Sequence, residues 1–92
     1  MINRKDDPVA WAAFSYELED AAEHLQSLLT RMSEQDDYGE SELRIELGHV
    51  FSHLNRAWNS RNERDPDEAD KKWEEWSQFP TDLDPLSPSL PD

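Results

Sequence analysis

WAAFSYELEDAAEHLQSLLTRM (residues 11–32) and LRIELGHVFSHLNRA (residues 43–57) both space their apolar residues at alternating three- and four-residue steps. In the first stretch Trp11, Phe14, Leu18, Ala21, Leu25, Leu28 and Met32 fall on one stripe; in the second Leu43, Leu47, Val50, Leu54 and Ala57 do. This period draws a single apolar line along each of two helices. A helix with one such line must bury it against a neighbour. The predicted fold is all-α: an antiparallel helical hairpin followed by a short third helix.

The punctuation around the stripes sets the boundaries. Asp7-Pro8 is a cap followed by a proline at the first helical position, so the first helix starts at 8 and runs to about 34. Asp36-Asp37-Tyr38-Gly39 breaks it, with Gly39 free to take a positive φ. The second helix runs over about 41–63, opened by Asp37 with Glu40 as a capping box or by Ser41. Arg56, Arg61 and Arg64 crowd its end, where cations suit the helix dipole. Asp65-Pro66-Asp67-Glu68 repeats the start signal, and a third helix is expected over about 66–77. Residues 1–78 thus form one helical domain. From 79 to 92 the prolines forbid helix and strand, and this stretch is expected to be extended or disordered. Its Pro85-to-Pro88 and Pro88-to-Pro91 spacings match a P-x-x-P ligand but lack a flanking arginine, and read as a terminal tail. Leu83, Leu86 and Leu90 are its leucines, suited to lie along a groove of the same protein or its neighbour.

Pairing the stripes as heptads, with the core positions labelled a and d, places Arg31 opposite Glu46, His24 opposite His53 and Glu17 opposite Ser60 on the g flank. One register satisfies all three. The opposite flank carries Ala22, Leu29, Phe51 and Trp58 and is apolar on both helices. Two helices cannot cover it. A second copy of the hairpin would, giving a homodimeric four-helix-bundle-like assembly; so would the third helix with Trp73 and Trp76, giving a monomeric three-helix bundle. The expected dimer or partner edge is therefore Leu29, Phe51, Trp58, Trp73 and Trp76. Gly48, mid-helix beside this edge, fits a close helix crossing there.

Composition narrows the function. Nine Lys and Arg against 22 Asp and Glu give a formal charge of −13, which repels phosphate backbones and anionic bilayers. No nucleic acid and no membrane are expected as partners; a protein with a basic surface fits. There is no cysteine, hence no disulfide and no thiol catalysis. Asp6-Asp7-Pro8 follows directly on the first five residues, no signal peptide is discernible, and the chain reads as cytoplasmic. Two glycines leave no phosphate-cradling loop, and no nucleophile elbow or H-E-x-x-H motif is present, so no enzyme is expected.

One constellation carries possible chemistry. His49 and His53 are four apart, Glu46 stands one turn earlier, and His24 faces His53 across the seam. Imidazoles and a carboxylate at this spacing make a half-site for a divalent transition metal such as zinc. Arg56, Arg61 and Arg64 with Trp58 form the basic-aromatic cluster, expected to pair internally with the acidic run 65–75. The sequence reading favours a small acidic interaction module that dimerises through the apolar edge. An antitoxin-like inhibitor that masks a basic partner is the alternative, and a metal-binding bundle on His24, Glu46, His49 and His53 is the second.

Overall fold

The computed structural model describes residues 1–86. Four helices follow one another: α1 (Pro8–Glu34), α2 (Glu40–Asn59), α3 (Pro66–Lys71) and α4 (Trp73–Trp76), with no strand among the described residues. α1 and α2 are the hairpin that the two stripes require, and their packing dominates the molecule.

The register is the expected one. Arg31 Nη2 bonds Glu46 Oε1, and the rings of His24 and His53 stack with centroids 5.2 Å apart. The rotation of the helices about their axes differs from expectation. Ala21, Leu28, Val50 and Ala57, all d positions, are buried. The a positions Leu18, Leu25, Met32 and Leu54 stay at the rim. The seam is thus built from d and g residues, not a and d. Alanine at three of the five buried apolar positions of the two helices (Ala10, Ala21 and Ala57) lets them approach closely, and the polar bonds of the g flank hold them turned that way.

The helix ends also depart from expectation. Asp7 precedes α1, but its carboxylate caps no helical amide; it accepts from the Asn3 amide at 3.1 Å and from Arg64 Nη1 at 3.2 Å. Gly39 is extended (φ −129°, ψ −172°), not left-handed, and its own N–H is taken by Glu42 Oε2 at 3.0 Å. The reciprocal acid of the α2 start is therefore Glu42, not Glu40. α2 stops at Asn59, earlier than 63. The Arg61 amide and Arg61 Nη1 both donate to the Trp58 carbonyl, at 3.2 and 2.8 Å, closing the last turn before the helix can continue.

Two segments outside the hairpin complete the core. The Ile2 amide donates to the Arg61 carbonyl at 2.8 Å, and Ile2 is 2% exposed. The expected third helix breaks at Lys72 (φ −102°, ψ 13°) into α3 and α4. α4 ends at Trp76, which leaves the carbonyls of Trp76, Ser77 and Gln78 open, and α2 uses them: Asn59 Nδ2 bonds the first at 2.9 Å and the third at 3.2 Å, and Asn55 Nδ2 bonds the second at 2.9 Å. The chain thereby wraps α2 from the g flank, across its outer side, to the apolar flank.

Candidate functional site

Three surfaces carry the side chains singled out by the sequence: the polar seam, the apolar flank, and the segment that crosses it.

The polar seam has two clusters. Near the turn, Glu46 binds Arg31 and lies 3.8 Å from His24 Nδ1. The Tyr38 hydroxyl and Arg31 Nε are buried there with no hydrogen-bond partner in the protein. Desolvation, then the Glu46 charge, raises the Tyr38 pKa above the ordinary tyrosine range, against the lowering effect of Arg31. Further along, Glu17 accepts from Arg56 Nε with both oxygens, at 3.1 and 3.0 Å. Arg56, with 8% of its side chain exposed, also donates from Nη1 to Ser77 Oγ at 2.8 Å. His53 Nδ1 stands 3.0 Å from both Glu17 Oε2 and Arg56 Nη2. With a proton on Nδ1 it donates to Glu17; without one it accepts from Arg56.

The candidate metal ligands are neighbours but are not arranged as ligands. The ring of His24 stacks on His49 with centroids 5.1 Å apart and 12° between planes, and on His53 at 5.2 Å and 26°. Stacked imidazoles present faces to one another, whereas a metal needs their nitrogen lone pairs aimed at one point. Among the described residues no group of three or more His, Asp or Glu is placed to hold a metal ion.

The apolar flank is covered differently from the expectation. Trp73 does not lie over Phe51 and Trp58. It sits on the opposite flank, with the Arg56 guanidinium carbon 4.4 Å from its ring, and closes a small cavity of about 70 Å³ with Phe14, Glu17 and Ala69. Trp76 lies under Lys72 Nζ at 5.2 Å. Phe51 is met by Phe79, whose ring centroid is 5.2 Å away at 60°. Trp58 lies beneath the Arg61 guanidinium, 3.7 Å from its carbon, and donates Nε1–H to Asp82 Oδ1 at 2.9 Å; Arg61 Nη2 binds the other Asp82 oxygen at 3.2 Å. The Trp58 hydrogen bond first, and Arg61 after it, hold the Asp82 carboxyl below its ordinary value of 3.8. Residues 78–86 are thus irregular, as proline demands, yet Phe79 and Asp82 are held against α2. The P-x-x-P spacings and Leu90 lie outside the described residues.

The internal pairing of the basic cluster has other partners than the expected run 65–75: Arg56 takes Glu17, Arg61 takes Asp82 and Arg64 takes Asp7. Nothing periodic in the sequence marks Asp82 or Ile2 for these places. The signal that was present is that Asn55 and Asn59 are uncharged amides on the outer side of a highly charged chain, where main-chain carbonyls can be read.

What remains uncovered is a continuous apolar face. Leu18, Leu25, Leu29 and Met32 of α1 and Phe51 and Leu54 of α2 are between 39% and 59% exposed. The flanking positions 12, 15, 19, 22, 26 and 33 of α1 and 41, 44, 48 and 55 of α2 carry just two charges, Glu19 and Arg44. Gly48 lies on this side with nothing within 4 Å of where a Cβ would stand, so no crossing within the chain explains it. No helix among the described residues is long and apolar enough to cross a membrane. No family model matches the chain, and no curated protein or solved structure matches it.

Proposed function

We propose that the protein is a small acidic helical interaction module that works as a homodimer, and that the face of Leu18, Leu25, Leu29, Met32, Phe51 and Leu54 is its contact surface. The carrying observation is that this face is both apolar and almost free of charge in a chain where 34% of residues are charged. Its six large side chains leave roughly 550 Å² exposed per chain, so two copies face to face remove at most about 1,100 Å² from water, just above the roughly 1,000 Å² a biological interface needs and at the small end of the scale. Leu29 and Phe51 were already expected at this edge; Trp58, Trp73 and Trp76 give way to Leu18, Leu25, Met32 and Leu54.

Leu29→Glu tests the reading. Leu29 is the most exposed of the six, so the variant keeps its helix content by circular dichroism. In sedimentation velocity the native chain is expected to populate a dimer at micromolar concentration, and Leu29→Glu to raise the dissociation constant at least tenfold. A native chain that stays monomeric to several hundred micromolar overturns the homodimer.

A further inference from the structure

The face does not end where the described tail begins to cover it. Leu54, half out in solvent on the open face, also lines two gaps beneath the segment after Ser77. One gap, of about 320 Å³, lies between Phe51, Trp58, Phe79 and Leu83. The other, of about 390 Å³, lies between Leu18, Ala57, Trp58 and Leu83. The segment therefore rests over a continuation of the apolar face without filling it. Its own apolar residues gain only partial cover: Phe79 is 67% and Leu83 49% exposed. Polar bonds hold it instead. Asn55 and Asn59 grip the carbonyls of Trp76, Ser77 and Gln78 at one end, and Asp82 clasps Trp58 and Arg61 at the other. The bonds at the Asp82 end are exposed and little apolar area is buried there, so this end of the segment opens locally at low cost.

We propose that residues 77–85 form a strap that limits self-association: clasped, it keeps Trp58 and part of Phe51 from a second copy of the chain; released at Asp82, it lengthens the contact face to include both. This rests on the homodimer reading above, since it assigns the strap as that surface's regulator. Release also strips Arg61 of its carboxylate partner while it stays stacked on Trp58 and bonded to the Trp58 carbonyl, leaving a cation beside the lengthened face for an incoming acidic copy. At neutral pH the Asp82 carboxylate is ionised and accepts both bonds; the Trp58 hydrogen bond and Arg61 hold its pKa lower still, so acid opens the clasp only below the ordinary carboxylate range.

Asp82→Ala, at a position exposed in the folded chain and outside every helix, opens the clasp without touching the face. Two readouts are needed. Acrylamide quenching, taken as the difference between each protein and its Trp58→Phe counterpart, reports the indole; sedimentation velocity reports association. The expected result is stronger quenching of Trp58 and a dimer dissociation constant at least fivefold lower than that of the native chain. Stronger quenching with unchanged or weaker association overturns the strap as a regulator while the native dimer stands. Unchanged quenching overturns the clasp itself. If neither the native chain nor Asp82→Ala associates, the homodimer falls, and the strap's role falls with it.

Discussion

Arg56 shows how much one side chain can carry in a chain of 92 residues. Its Nε, Nη1 and Nη2 are all engaged, by Glu17, Ser77 and His53, so it joins α1, α2 and the start of the strap. It is also nearly buried, and a buried cation is stable only while its counter-charge is present. Glu17→Ala is therefore expected to cost about 3 kcal/mol in urea unfolding, the scale for stripping one partner from a buried pair. Replacing both residues by apolar ones of similar volume, Glu17→Leu with Arg56→Met, is expected to cost less than Glu17→Ala alone. A single loss larger than the double one is the signature to look for. The sequence places Arg31 against Glu46 and His24 against His53, because charge and register are both written in the heptad. It does not place Arg56 against Glu17. Those residues sit one turn from direct opposition, and a long guanidinium stem reaches across that turn.

Among the elements, α2 has the most unusual surroundings. The hairpin buries one side of it, and the return of the chain through α4 and the strap buries part of the other, so Asn55 and Arg56 are buried on its outer side. Hydropathy shows the first burial and conceals the second, since Asn55, Arg56 and Asn59 look like a solvated stripe. The same limit explains the rotated seam: periodicity marks a and d alike, and only the size of Ala21 and Ala57 and the bonds of the g flank decide which is buried. Gly48 is the weak point of the helix. With open space where its Cβ would be, Gly48→Ala meets no clash and gains helix propensity. It is expected to stabilise the chain by about 0.5–1 kcal/mol, read as a higher urea midpoint with an unchanged slope.

For the whole molecule, the charge of −13 acts against the proposed dimer and sets how salt changes it. Two such copies repel over a distance of about 10 Å in 0.1 M salt, and added salt shortens that reach. Self-association is therefore expected to tighten, by about tenfold between 20 and 300 mM sodium chloride, as the repulsion is screened. Binding to a basic partner has the opposite sign and weakens with salt. One titration of ionic strength, followed by sedimentation, separates the homodimer from the masking of a basic protein.

The wrap around α2 also fixes an order of events. Asn55, Asn59, Trp58 and Arg61 grip the later chain only when α2 is already helical, because the helix is what sets the first three on adjoining turns and brings Arg61 over the Trp58 ring. Trp73 likewise has no Arg56 to rest on until Glu17 has oriented it. The hairpin, joined by the five residues between Glu34 and Glu40, needs neither. Folding is therefore expected to run in two stages, a local hairpin first from neighbouring contacts and then the last third of the described chain laid onto it, which stopped-flow tryptophan fluorescence would show as a second refolding phase. On the same grounds the strap is expected to open before the hairpin, read as faster amide exchange at Asn55 and Asn59 side chains and at residues 77–82 than along the seam, and a bare hairpin would show its apolar face at its widest.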